Sequence, residues 1–339
     1  MRGTVLRDSG GTPGGGGGGG SGVPRVGPGG VPPTVPGFGL NLRAGPVGAQ
    51  APAKPKAPPP KSAAADLVKA GKLAEALTTL QNEIKQKPEN AYLRVFLFQL
   101  LAVMGQWERA ATQMAVAAQM DAENLLMAQV CRGAIECEKF RAEVFAGKRL
   151  PLVLGEPEEW VGLLVHANQL TGQGQHAAGA ELRVKALELA PAVGGTIRTV
   201  AGAPNDEGVE PETATTFEWL ADADSRLGPV LEALIDGKYY WVPMHRVRSI
   251  LIERPTDLRD VIWLPATLTL TAGGAQLALL PVRYPGTDAR GTDAMKLSRS
   301  TEFERLGNGE EYAGLGQRLF ATDAGEFGLL ETRSVAFNA

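Results

Sequence analysis

The residue types best suited to chemistry in this 339-residue chain gather in two short stretches, Trp219-Leu-Ala-Asp-Ala-Asp-Ser-Arg-Leu-Gly-Pro229 and Arg254-Pro-Thr-Asp-Leu-Arg-Asp260. Asp222 and Asp224 are the kind of carboxylates that help hold a cation. A calcium site, however, needs about six to eight oxygen ligands at defined spacing, and Leu227-Gly-Pro229 supplies none. A capping Asp or Ser side chain at a helix beginning near Pro229, with Arg226 paired to a carboxylate, accounts for the first stretch without a reaction. Asp257, Arg259 and Asp260 are types that an acid/base site uses, yet an alternating-charge turn feeding a strand explains them without chemistry. Both stretches are therefore read as structural polar clusters.

Other reactive types are sparse. His166, His176 and His245 are the three histidines, and each is assigned a core or surface role. Cys131 and Cys137 match neither a CxxC redox pair nor a zinc ligand set, so they are read as ordinary reduced thiols. The chain has no GxGxxG after a strand, no GxxxxGK[ST], no HExxH and no GxSxG. The Gly14–Gly20 run is not a phosphate loop, because no strand precedes it and no Lys-Ser or Lys-Thr follows. No catalytic residue, metal ligand or cofactor is assigned.

Charge narrows the partners. Residues 1–60 hold six cations against Asp8, so of the formal net charge of −3 the remainder carries −8. An acidic balance of that size argues against a nucleic-acid surface, which requires clustered cations facing phosphates. No apolar run approaches the roughly 18 residues of a membrane span, and glycine and proline follow Met1–Val5 where a secretory signal would be apolar. The cytoplasm is the default location, with no membrane insertion.

The elements that must position these residues fall into three segments. Residues 1–62 form a Gly/Pro-rich tail expected to be disordered. Residues 63–192 read as a helical domain. Leu73, Ala76, Leu77 and Leu80 make one apolar stripe, Tyr92 to Gly105 a second helix, Gln106 to Gln119 a third and Asn124 to Phe145 a fourth. Gly71-Lys-Leu-Ala-Glu-Ala76 aligns with Gly105-Gln-Trp-Glu-Arg-Ala110 at an offset of 34 residues, and a partial third copy starts at Gly174 behind a helix from Glu158 to Leu170. That period is the tetratricopeptide one, so a TPR-like repeat is expected. Residues 193–339 read as a small strand-rich domain that opens with a flexible loop at about 193–214. Thr215–Leu220, Tyr239–Val242, Val247–Ile252, Val261–Trp263, Thr267–Thr271 and Gln276–Pro281 are read as strands, Pro229–Ile235 as a short helix and Thr271–Ala275 as a hairpin turn. The fold class is α+β.

Recognition is then the remaining function. Phe96, Gln99 and Trp107 are candidates to line a groove between helices, and Tyr240 and Trp241 are candidate anchors among the C-terminal rings Tyr239, Trp263 and Tyr284. Seven blocks resemble the ImpE family, also called TagJ. They are Tyr92 to Ala110, Glu143-Val-Phe-Ala-Gly147, Trp219 to Pro229, Tyr239-Tyr-Trp-Val-Pro243, Asp257-Leu-Arg-Asp260, Arg283-Tyr-Pro-Gly286 and Gly314-Leu-Gly-Gln-Arg318. The likeness runs from about residue 66 to 337. It implies a cytoplasmic, non-catalytic accessory protein of bacterial type VI secretion, an adaptor that binds the N-terminal helix of the small subunit of the contractile sheath. It also implies a link between sheath recycling and the AAA+ ATPase. The competing readings are a general assembly scaffold using the C-terminal aromatic region, and an unrecognised hydrolase or nucleotide-dependent enzyme built on Asp222, Asp224 and Arg226.

Overall fold

The structure, a computed structural model, describes residues 62–201 and 211–338. The expected disordered tail lies outside the described residues but for Ser62, as does the middle of the expected loop.

Helices come first: α1 (Ala63–Lys69), α2 (Leu73–Gln86), α3 (Ala91–Val103), α4 (Trp107–Met120), α5 (Leu125–Phe145), then, after a two-residue strand β1 (Leu152–Val153), α6 (Glu159–Gly172) and α7 (His176–Leu189). The stripe on α2 is buried at Leu73, Ala76, Leu80 and Ile84, the spacing of one helix face. Asn90 caps α3 by accepting a hydrogen bond from the Leu93 amide at 3.3 Å. Gly71, Gly105 and Gly174 end α1, α3 and α6 at φ of 73°, 71° and 83°. Around each the chain closes alike: the glycine amide bonds the carbonyl three residues back, and the next amide bonds five back, as Lys72 does to Leu67, Gln106 to Leu101 and Gln175 to Leu170. This left-handed closure is one that glycine alone adopts without strain. It is the physical origin of the glycine register.

The C-terminal region is built from β2 (Gly195–Val200), β3 (Glu212–Phe217), β4 (Leu220–Asp222), β5 (Val230–Ile235), β6 (Lys238–Pro243), β7 (Val247–Ile252), β8 (Trp263–Leu270) and β9 (Ala275–Pro281). Two single-turn helices, α8 (Thr287–Arg290) and α9 (Asp293–Lys296), follow, then β10 (Thr301–Arg305), β11 (Tyr312–Gly316), β12 (Leu319–Thr322), β13 (Gly325–Gly328) and β14 (Thr332–Phe337). Nine strands form one sheet in the order β1-β6-β5-β9-β8-β7-β14-β2-β3, antiparallel throughout except where β1 joins β6 in parallel. A three-stranded sheet, β13-β12-β4, and the β10-β11 pair complete the region. An N-terminal helical region is thus followed by a β-rich one, as an α+β chain requires.

Alternation along the strands makes two cores. Val230, Leu234, Tyr239, Trp241 and Trp263 pack against the helices, while Leu231, Ala233, Val242, Leu264 and Leu280 turn the other way to meet Phe320, Leu329 and Val335. The first core runs across residue 192, and β1, from the helical segment, extends the sheet of the other.

Four expectations change. Pro229–Ile235 is not a helix but β5, and every residue of Val230–Ile235 is buried. A strand covered on both faces loses its polar alternation and reads as an unbroken apolar run. Hence no helix follows Pro229 for Asp224 or Ser225 to cap. The expected loop contains β2, with Ile197 fully buried, and the start of β3. Thr215–Leu220 divides into the end of β3 and the start of β4. Val261–Trp263 and Thr267–Thr271 are parts of a 3-10 turn at Leu258–Val261 and of the single strand β8.

Candidate functional site

The densest polar grouping lies where α5 meets the sheet. Glu232, from the middle of β5, is fully buried and accepts Arg141 Nε and Nη2 from α5, each at 2.7 Å. It also accepts Arg318 Nη2 and the Tyr239 hydroxyl. Arg318 reaches on to Asp222 on β4 at 2.9 Å, and Trp241 Nε1 donates to the Tyr239 oxygen at 2.7 Å. Arg141 also donates to the Arg283 carbonyl at 2.9 Å and sits beside Glu138, whose other oxygen accepts Trp263 Nε1 at 3.0 Å. In the turn after β4, Asp224 accepts Arg226 Nε at 2.8 Å, Arg226 Nη2 at 2.5 Å and the Gly314 amide at 2.9 Å. The Arg226 guanidinium lies over the Phe145 ring at 4.7 Å.

Burial sets the electrostatics. It would raise the Glu232 carboxyl, but the Arg141 and Arg318 guanidiniums hold it well below the usual carboxylate range. Asp222 goes the other way. Burial outweighs Arg318, Asp224 adds a like charge, and the carboxyl is pushed up to about 7. Arg283 is brought down to about 10 by burial. Among the described residues its guanidinium donates to the Val103 and Lys296 carbonyls, at 2.7 and 2.9 Å. Burial likewise lifts the thiols of Cys131 and Cys137, to about 11 and about 12, so both are inert as nucleophiles. The network ties helix to sheet with three guanidiniums, Arg141, Arg226 and Arg318, paired among four carboxylates, Glu138, Asp222, Asp224 and Glu232.

The second acidic stretch is local. Asp260 accepts the amides of Thr256 and Asp257, each at 2.8 Å, inside a capping box that starts the 3-10 turn, and Arg259 pairs with Asp257 at 3.1 Å. Arg226 is paired with Asp224, and Asp222, Asp257, Arg259 and Asp260 also have hydrogen-bond or ion-pair partners within the chain. His245 meets Glu158 at 3.1 Å, His166 is exposed on α6, and His176 packs against Gly307. Among the described residues no group of three or more His, Cys, Asp or Glu is placed to hold a metal ion.

The candidate contact residues point inward. Trp241 is fully buried, Phe96 and Gln99 are 8 % and 7 % exposed, and Trp107 is half-buried with its ring 5.9 Å from Trp263. Tyr240 is half-buried against the second core. Phe96 and Gln99 are thus buried on α3, and Trp107 meets Trp263 of β8, so none of the three lines an open groove. Sequence reasoning passed over Glu232, Arg141 and Arg318. The available signal was a single carboxylate inside the apolar run Val230–Ile235, where a buried charge demands partners. The surfaces open to other molecules lie elsewhere: a groove between α2, α3 and α4, and an apolar patch with Leu125, Leu126 and Val130 exposed at the start of α5.

The densest charged groups of the described residues are thus paired with one another across the interior, where helix meets sheet. The ImpE protein family model matches residues 214–336. The type VI secretion system accessory component TagJ of Pseudomonas aeruginosa is 48% identical over 274 residues, covering 81% of this chain and 90% of that protein. The crystal structure of protein VPA1032 from Vibrio parahaemolyticus superposes with a TM-score of 0.69 at 25% identity, over 81% of this chain and 97% of that one. The chain belongs to the ImpE/TagJ family. No helix among its described residues is long and apolar enough to cross a membrane.

Proposed function

We propose that this chain is a cytoplasmic accessory factor of a type VI secretion system, an adaptor that captures the N-terminal helix of the small sheath subunit and assists sheath recycling by the AAA+ ATPase. The observation that carries this reading is the 48% identity to a protein named as an accessory component of that system, over nearly its whole length. The glycine-closed hairpins α1–α2, α3–α4 and α6–α7 support a TPR-like description of the helical region, a scaffold suited to holding helices. Capture of a helix needs apolar surface and shape, with no reacting group. A pulldown and calorimetric titration against the small sheath subunit and its isolated N-terminal helix tests the reading. Binding to both is expected, and binding to neither rejects it.

A second reading, a general assembly scaffold using the C-terminal aromatic region, is favoured by Trp219, Phe303 and Tyr312, which are 40 %, 37 % and 37 % exposed. Replacing Trp219 and Tyr312 with Ala separates the two readings. Loss of sheath binding in a folded variant places the contact in the C-terminal region.

A further inference from the structure

Six adjacent strands of the large sheet turn one face outward. In register across β3, β2, β14, β7, β8 and β9, Ala214, Arg198, Ser334, Leu251, Thr267 and Leu277 form a row. The next row on the same face, from Thr216 on β3 to Ala275 on β9, consists of Thr, Ser and Ala alone. Between the rows, Ile197, Ile250 and Leu268 point the other way into the second core, as period two requires. The twelve outward residues are exposed or half-buried, and the helices cover this side of the sheet only at its far end, where Val230, Leu234 and Trp263 pack against them.

The composition of this face is wrong for solvent. Arg198 is the only charge among the twelve residues, where a soluble surface with about 25–35% charged side chains would place about three or four. Leu251 and Leu277 are 61 % and 73 % exposed, one on each side of Thr267 in the same row. A solvated antiparallel face keeps its apolar residues inward, and two leucines in mid-row break that rule.

We infer that this face is an interface between two copies of the chain, packed sheet on sheet. Aligned stacking of two twisted sheets about 10 Å apart is the ordinary geometry of a β-sandwich. A two-fold axis in the plane of contact lays both leucines on small side chains whichever way it runs. Parallel to the strands, between β7 and β14, it sets Leu251 on Ser334 and Leu277 on Ala214 of the other copy. Perpendicular to the strands, between the two rows, it sets them on Ser249 and Ala275. Arg198 then meets Thr267 or Thr196, so no like charges oppose one another. Six strands by two rows is a flat footprint of about 29 Å by 13 Å, so two copies cover about 800 Å2, or near 1,000 Å2 with side-chain relief, the low end for a specific interface. The dimer is therefore weak and reversible. A nucleic acid or an acidic protein would find a single cation here, and the inference does not depend on sheath binding.

The test is sedimentation velocity of the full chain over a micromolar concentration series, in which the average mass is expected to climb from monomer toward dimer. Leu251→Glu/Leu277→Glu is the diagnostic variant, since both side chains are exposed and the core is untouched. It is expected to associate about tenfold more weakly or worse. Leu125→Glu/Leu126→Glu, on the exposed apolar start of α5, is the control and is expected to associate as wild type does. A thermal melt verifies that each is folded. Thr267→Cys locates the contact: its alkylation by a maleimide is expected to slow as concentration rises, over a background kept low by the burial of Cys131 and Cys137. A wild-type monomer at every concentration overturns the inference, as does a sheet variant that associates as tightly as wild type. Alkylation that is slow at every concentration means that the chain covers this face itself, and overturns the second copy as its occupant.

Discussion

Glu232 is the hub of the interior charges, because two guanidiniums and a phenol converge on one fully buried carboxylate. Replacing it with Gln leaves Arg141 with Glu138 and Arg318 with Asp222 as their remaining carboxylates, and breaking such buried pairs costs about 3–5 kcal/mol. Chemical denaturation of Glu232→Gln is expected to show a loss in that range. A loss near 0.5 kcal/mol means that the network is open to solvent. The two carboxylates also make opposite contributions to pH dependence. Glu232 has a lowered folded pKa, so its stabilisation is present above the unfolded value near 4.3 and fades as the pH falls below it. Asp222 is raised to about 7, so the folded state holds a proton that the unfolded state has released, and stability declines as the pH rises from about 4 to about 7. Asp222→Asn is expected to flatten the wild-type decline over that window when melts are recorded from about pH 4 to 8. An unchanged slope contradicts this assignment. At this scale the sequence revealed the Arg226 ion pair, because its partner lies two residues away. It concealed Arg318, whose partners Asp222 and Glu232 lie 96 and 86 positions earlier.

Elements whose signals are local were the most legible. Helices α2, α3, α4 and α5 begin and end close to where apolar period, Asn90 and the glycines place them. The glycine register makes a quantitative statement. Gly174 has no heavy atom within 4 Å of an added Cβ, so Gly174→Ala costs only the left-handed backbone strain, about 1–2 kcal/mol. At Gly105 the same Cβ meets the Asp288 side chain at 2.6 Å, and the cost is expected to be larger. Denaturant midpoints that reverse this order contradict the close approach of α8 to the α3–α4 turn. β5 and β2 were lost for different reasons. β5 is sealed on both faces and shows no alternation, whereas Gly195-Thr-Ile-Arg-Thr-Val200 lies in a Gly-, Pro- and Thr-rich stretch, and only pairing with β14 and β3 makes it a strand. A contact supplied by residues more than a hundred positions later leaves no local mark.

For the whole molecule, the helical layer and the sheet are joined by one core and one ion network, which removes Phe96, Gln99 and Trp241 from contact with other proteins. Aromatic rings in sequence announce burial or binding with equal force, and only the packing of α5 on β6 and of Trp107 on Trp263 separates the two. Family resemblance in blocks from Tyr92 to Arg318 was legible because it is a property of residue order, whereas the open sheet face was not, since Ala214, Leu251 and Leu277 share a row only after the strands pair. The charged interior is closed by its own pairs, so contact with another protein is expected at the outer surface. Hydrogen exchange of the full chain, with and without saturating small sheath subunit, measures that most directly. Slowed exchange among the helices α1 to α7 is the predicted result, with amides of β5 and the Asp222–Arg226 turn unchanged. Protection that appears at Asp222–Glu232 while α1 to α7 exchange as before would contradict it.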